Sequence, residues 1–544
     1  MKASDLLAEC LAAEGVEYVF GVPGEELEDI LFSLRDSPID VIPVRHEQGA
    51  AFMADVHGRL TGEAGVCLST LGPGATNLLT GVADAHLDKS PVVALTGQGG
   101  RERLHQESHQ HLDIVDMFEP ITKWNTRANY PGVVHESVRK AFKLAEHEKP
   151  GATHIEIPED VAAEETDAEP LRPRERSVRR ASPDRKAVDR ATEVLAAADR
   201  PLVLAGNGAV RTRAAHQLRS LVEETDMPAV ATYMGKGAVS DADDHSLMTL
   251  ESGSADQVDR VIERADTVLA VGYDIVEHDP ESWNPDGDKT IVHLDFEPAE
   301  VYEHYVPDVE VVCDIAAGLE ALCGAGLGTT DRGWYADLRE GLAGEVNRSP
   351  RADAPFTVKG ALPLVREALD DEDVLISDVG SHKMAIARHY PTYEPNTCII
   401  SNGLASMGIA VPGAVAADLA VGGTRADTEG RFPSGDRNVV AATGDGGFMM
   451  NASELETAAR LGCSFTVLLF NDDDYGLISE QQTESGGEAY GTHLGNPDFP
   501  AFAESFGIEG HRAQSWDDLA AALDRVVPGD DLALIEVPLD PGVR

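Results

Sequence analysis

At 544 residues the chain is too long for one hydrophobic core and suits about three domains of about 100 to 200 residues, which excludes a small disulfide scaffold or a lone binding module. Its 95 acidic side chains against 44 basic ones leave a formal net charge of -51, a surface that repels nucleic acid and anionic membrane. A hydrophobic content of 42% excludes disorder, no run of about 18 apolar residues is present to span a bilayer, and the scattered acid points to a globular protein adapted to high salt.

Residues 1–10 read as a helix with Leu6 and Leu7 inside and lack the basic and apolar regions of an export signal, so a cytoplasmic location is expected. The six cysteines, Cys10, Cys67, Cys313, Cys323, Cys398 and Cys463, form no C-x-x-C pair and read as small core residues in a reducing compartment. A strand over 40–44 is followed by Arg45-His46-Glu47-Gln48-Gly49-Ala50-Ala51, and a second over 65–70 by Gly72-Pro73-Gly74-Ala75-Thr76-Asn77. Taken alone, Glu47 is an ordinary carboxylate at a strand end. Residues 164–185 are rich in Pro, Arg and Glu and predict an exposed, extended linker. The middle region opens with the apolar run 201–205 and the turn Gly206-Asn207-Gly208. That turn resembles the start of a nucleotide-binding crossover without its full fingerprint; the simpler reading is a tight β-to-α turn.

A helix over 334–342 and a weaker linker over 346–355 lead into the third region. Apolar runs alternate with amphipathic ones in all three regions, which predicts an α/β fold of three domains with mostly parallel, doubly wound sheets, at 1–163, 186–345 and 356–544. In the last, a strand over 437–443 runs into Gly444-Asp445-Gly446-Gly447, a helix through 461, a strand over 464–470 and then Asn471-Asp472. A right-handed crossover places both turns at the carboxyl ends of adjacent parallel strands, where open α/β sheets bind ligands. Asp445 and Asp472 then converge, each able to give one oxygen to a hard cation such as Mg2+. The glycines let the backbone approach a diphosphate and leave helix N–H groups to bind it. The Gly-rich, charged stretch 422–436 reads as an exposed loop.

The Gly444-Asp445-Gly446 turn with Asn471-Asp472 resembles the thiamine diphosphate motif. Gly21-Val22-Pro23-Gly24, the Glu47 segment and the Pro73 to Asn77 turn resemble the pyrimidine-binding domain of acetohydroxyacid synthases and their relatives, and the likeness covers nearly the whole chain. It implies that Asp445 and Asp472 ligate Mg2+ through side chains and Asp474 through its backbone carbonyl. Glu47 is implied to bond N1′ of the cofactor's aminopyrimidine, where a glutamate kept from bulk water helps move the proton from thiazolium C2. Val22, Pro23, Gly24, Pro73, Asn77, Gly380, Ser381, His382 and the 444–447 turn become cofactor-binding residues, with Met407 wedged beneath the cofactor and Gln110 near substrate.

The middle region resembles the catabolic acetolactate synthases, which lack FAD. The flavin-contacting Arg-Phe-Asp-Asp-Arg run of the anabolic enzymes is absent at Gly272-Tyr273-Asp274-Ile275-Val276-Glu277, and Gln481 stands where they carry a tryptophan. Glu480 and the 422–436 loop depart from the catabolic pattern. The implied reaction condenses two pyruvates into 2-acetolactate and CO2, with the cofactor as electron sink. In the family, the two domains meeting at one cofactor come from different subunits, which implies a homodimer or homotetramer. Another thiamine diphosphate-dependent decarboxylase or carboligase, or a non-catalytic paralogue, is the alternative; the latter is expected to lose Glu47 or an acidic metal ligand, and both are present.

Overall fold

The structure, a computed structural model, describes residues 1–173, 181–250, 257–346, 348–421 and 437–540. The expected 422–436 loop and part of the first linker lie outside them. Among the described residues eighteen strands form three six-stranded sheets, and every pairing within them is parallel. The first sheet contains β1 (Tyr18–Gly21), β2 (Asp40–Pro43), β3 (Gly65–Ser69), β4 (Val92–Gln98), β5 (Trp124–Arg127) and β6 (Ala152–Pro158), in the order β2-β1-β3-β4-β6-β5. The second contains β7 (Pro201–Ala205), β8 (Ala229–Ala231), β9 (Ser246–Thr249), β10 (Thr267–Val271), β11 (Thr290–Asp295) and β12 (Val309–Val312), ordered β12-β11-β10-β7-β8-β9. The third contains β13 (Val374–Ser377), β14 (Cys398–Ile400), β15 (Val439–Gly444), β16 (Thr466–Asn471), β17 (Glu509–Arg512) and β18 (Ala533–Pro538), ordered β14-β13-β15-β16-β18-β17.

The first and third sheets therefore share one strand order. Each changes its direction of growth between β1 and β3 or between β13 and β15, besides stepping back from its edge strand β5 or β17, and such a switch point opens a crevice at the strands' carboxyl ends. The central strands are buried along their length, as β3 and β4 illustrate, because helices cover both faces of a parallel sheet. The first and third sheets also share a core. Phe52, Met53 and Val56 of the Glu47–Thr61 helix pack with Ile376, Val411, Val415 and Phe448. A side chain at Gly413 would stand 2.8 Å from the Val56 methyl, so glycine is what lets the Ala410–Val421 helix come this close. The second sheet builds cores of its own.

Several local expectations shift. The first helix runs Ala3–Glu14 and ends where Gly15 adopts φ 92°, a left-handed cap. The helix expected over 334–342 lies at Ala336–Val346, which takes up the start of the second linker. The helix expected to continue through 461 is broken into Asp445–Asn451 and Glu454–Leu461, and Glu454 at the start of the second turns its carboxylate onto the first domain. Cys10, Cys67, Cys313, Cys398 and Cys463 are buried, Cys323 is half-buried, and all six thiols are free. No described helix is long and apolar enough to cross a membrane.

Candidate active site

Glu47 begins the Glu47–Thr61 helix, whose preceding residue, His46, caps it by accepting the Gln48 N–H on Nδ1 at 3.1 Å. The carboxylate thus sits buried at the positive end of a helix dipole. Asn77 Nδ2 donates to Glu47 Oε2 at 2.9 Å, and a side chain at Gly74 would begin 3.3 Å from Oε1. Gly72, with φ +38°, lies against the backbone carbonyl of Gln110, itself at φ 55°. Gly24 packs on Thr70, whose hydroxyl donates to Glu26 at 2.7 Å. The loop holding Val22, Pro23 and Gly24 and the start of the Gly72–Leu87 helix, which carries Pro73 and Asn77, follow β1 and β3, so this cluster occupies the first switch point. The Gln110 side chain faces solvent from an adjoining loop.

The second cluster occupies the corresponding point of the third sheet. Gly380, Ser381 and His382 begin the helix after β13, and Gly444, Asp445, Gly446 and Gly447 form the turn after β15. A side chain at Gly444 would begin 3.2 Å from His382 Nδ1. One at Gly446 would begin 2.8 Å from the Tyr475 ring and 3.4 Å from Met407 Cε, and one at Gly447 2.9 Å from Asp378. Glycine at these positions is what lets His382, Tyr475, Met407 and Asp378 approach the backbone this closely. His382 is buried, burial pushes its pKa down to about 4, and its Nε2 has no hydrogen-bond partner among the described residues. Asp445 is buried too. Burial, aided by the Asp472 charge and opposed by a hydrogen bond from Asn496, pushes its pKa up to about 7. Among the described residues no three acidic, histidine or cysteine side chains are grouped as a metal site, so a cation here would draw on Asp445 and Asp472 together with phosphate or backbone oxygens, leaving His382 Nε2 and the helix N–H groups for a diphosphate.

The loop ahead of Met407 is tied to the first domain. Asp84 accepts the Ser401 hydroxyl at 2.9 and 3.0 Å and the Ser406 N–H at 3.1 Å. Asp88 accepts N–H groups of Asn402 and Gly403, and Arg59 donates to the Ile400 carbonyl at 3.1 Å. Asp378 adds the Gly408 N–H at 2.7 Å. Met407 is therefore held half-buried above the Gly446 turn by contacts from two domains.

At the switch point of the middle sheet, between β7 and β10, the turn itself is filled by its own residues, and a cavity lined in part by Asn207, Val210 and Arg211 lies beside it. A side chain at Gly206 would strike the Gly272 carbonyl, and Glu277 Oε1 and Oε2 accept the Asn207 N–H at 3.1 and 3.0 Å. Thr232 and the Asp274 N–H also donate to that carboxylate, whose pKa burial and Asp274 push up to about 8. Lys149 reaches in from the first domain to pair with Asp274 at 2.7 Å and Asp295 at 3.1 Å.

The cofactor and metal candidates lie in the first cluster, the second cluster and the turn after β16, which carries Asp472 and Asp474, while Gln110 is exposed on an adjoining loop and Met407 stands on the loop above Gly446. The hydrogen bonds of Glu47 and of Asp445 stay within their own domains. Asp378, Tyr475 and Asn496 belong to the second cluster and were not singled out. Asp378 carried a usable signal, an acid directly after a buried apolar strand as in Asp445; Tyr475 and Asn496 reach the cluster only through folding. Gln481 and Glu480 lie exposed on the Gly476–Glu484 helix.

Comparison with known proteins agrees with this layout. Residues 1–117 match the family described as thiamine pyrophosphate enzyme, N-terminal TPP binding domain; 188–322 match its central domain and 378–537 its C-terminal TPP binding domain. An acetolactate synthase of Bacillus subtilis is 34% identical, over 99% of this chain and 93% of that protein. A catabolic acetolactate synthase of Raoultella terrigena is 33% identical, over 99% and 95% respectively. The large subunit of acetolactate synthase isozyme 2 of Escherichia coli is 32% identical, over 99% and 96%. With three consecutive domain matches and this identity sustained along nearly the whole length, the chain belongs to the acetolactate synthase family of thiamine pyrophosphate enzymes.

Proposed function

We propose that the protein is an acetolactate synthase: two pyruvate anions and one proton give one 2-acetolactate anion and one CO2. The observation that carries this reading is the pair of clusters at equivalent switch points, a buried glutamate at one and an acidic, glycine-lined turn at the other. Thiamine diphosphate, when bound, supplies the electron sink that lets a 2-keto acid lose CO2. Glu47, held by Asn77, would exchange a proton at pyrimidine N1′. Asp445 and Asp472 through side chains and Asp474 through its carbonyl would hold Mg2+, while His382 and the N–H groups of 444–447 would bind the diphosphate. Met407 would press its apolar side chain under the cofactor, and Gln110 would meet the substrate.

A flavin is not part of this reading. The helix N–H at Asn207, where a phosphate of a dinucleotide would dock, is already taken by the Glu277 carboxylate. One cofactor needs both clusters, and each is confined to its own domain, which favours a homodimer or a homotetramer built from it. Exposed apolar side chains beside the second cluster, Met449 at 44% and Met450 at 45%, suit burial by a second copy. The cytoplasm is the proposed location. Purified protein incubated in high salt with pyruvate, Mg2+ and thiamine diphosphate should yield 2-acetolactate, identified by NMR. CO2 release with a different carbon product would replace the acceptor, no turnover of any 2-keto acid would end the enzymatic reading, and a stoichiometric yellow chromophore would end the flavin-free one.

A further inference from the structure

Asn496 lies far along the chain from the acidic turns, yet its amide nitrogen stands among three oxygens: Asp445 Oδ2 at 2.5 Å, Asp473 Oδ1 at 2.9 Å and Asn471 Oδ1 at 3.1 Å. All three are acceptors, which fixes the amide with nitrogen inward. Asn471 is oriented independently, since its own Nδ2 donates to Glu536 at 2.9 Å. The segment delivering Asn496 is anchored on both sides. Tyr475 N–H donates to the Thr492 carbonyl at 3.0 Å and Leu494 N–H to the Asp473 carbonyl at 2.7 Å, with an antiparallel bridge between Asp474 and His493. Beyond it, Asp498 caps the Phe499–Glu504 helix.

We propose that Asn496 is a positioning residue for the cation site: it ties Asp445 to the Asn471–Asp473 turn and so sets the spacing of the two turns that carry the acidic ligands. The inference rests on the Mg2+ reading above. Two acidic turns brought together without a cation repel each other, and something must hold them. A lysine there would do so by neutralising the charge the metal needs, and a further carboxylate would add to the repulsion. A neutral amide donates hydrogen bonds to both turns and leaves their negative charge intact. It also occupies one oxygen of Asp445, which restricts how that carboxylate can be turned toward a metal, the usual role of an outer partner.

The test is calorimetric titration of Mg2+ in the presence of excess thiamine diphosphate, on the full-length wild type, Asn496→Ala and Asn496→Gln. In Asn496→Ala the Kd for Mg2+ should rise about 10- to 100-fold. Raising Mg2+ should restore activity lost at limiting Mg2+, since an interaction lost from metal binding is regained by mass action. Asn496→Gln, which keeps the amide, should recover part of the affinity. If the alanine variant does not fold, Asn496→Ser carries the same expectation. An unchanged Kd overturns the proposal, as does a loss of activity that no Mg2+ concentration restores. Those outcomes require a wild type that binds Mg2+ and cofactor; a wild type that binds neither overturns the functional reading itself.

Discussion

Glu47 and Asn496 mark the two extremes of what a single residue reveals before folding. Glu47 follows a short apolar strand and opens an Ala-rich helix, so its neighbourhood in sequence is its neighbourhood in space. Only Asn77, 30 positions on, completes it. Asn496 stands 51 positions from Asp445 in an Asn-Pro-Asp segment whose local reading is a helix start, and its working contacts come from tertiary pairing with the 473–475 turn. The chemistry proposed for Glu47 is tested by Glu47→Gln, which keeps shape and a hydrogen bond to Asn77 but cannot take or give a proton. Cofactor should still bind, while exchange of its C2 proton, followed by NMR in D2O, should slow by about 10² to 10⁴. Exchange at the wild-type rate would assign the proton transfer to another group.

Among elements, the strand-turn-helix-strand run from β15 to β16 was readable because a buried parallel strand is a short, wholly apolar segment bounded by glycine and acid. The break at 452–453 was not read, although Asn451 and Ser453 are weak helix formers; the helix that resumes there places Glu454, buried, to accept the Arg45 and His46 N–H groups at 3.0 Å each. The helices of the first domain hide a second tertiary device. Arg59 is surrounded by Asp55, Asp84 and Asp88, all buried, pairing with Asp55 at 2.8 Å and Asp84 at 3.7 Å and directly with Asp88. Burial, reinforced by the Asp88 and Asp55 charges and only partly opposed by Arg59, holds the Asp84 carboxyl well above the usual carboxylate range. Asp84→Asn keeps the shape and one oxygen for the Ser401 and Ser406 donors and should cost about 1 kcal/mol, the worth of one altered hydrogen bond. Arg59→Met should cost about 3 to 5 kcal/mol by leaving the buried acidic cluster without its cation. Chemical denaturation of both variants checks the contrast, and a loss in Asp84→Asn as large as in Arg59→Met would show that the Asp84 charge, rather than Arg59, organises the cluster.

For the molecule as a whole, composition announced a solvated acidic surface and three α/β units, but not that the first and third sheets share one strand order and one core. That fusion is a matter of helix faces meeting across 350 or so positions, which no periodicity within either helix encodes. It also bears on assembly. The apolar surface of the Glu47–Thr61 helix is spent on the third domain of the same chain, so the fusion makes each chain a unit that presents both clusters. In the proposed dimer the two subunits must then approach with a formal charge of -51 on each. Their repulsion is long-ranged when salt is scarce, because the Debye length exceeds about 10 Å below about 0.1 M. The apolar contact near Met449 and Met450 is short-ranged and is strengthened rather than weakened by salts excluded from the protein surface. Dilution of salt should accordingly dissociate the assembly and release cofactor in the same concentration range. Sedimentation velocity across a salt series, with activity measured on the same samples, follows both at once. A fully active monomer at any salt concentration would show that one chain completes the site alone, and cofactor loss without dissociation would place the salt effect in the acidic turns rather than between subunits.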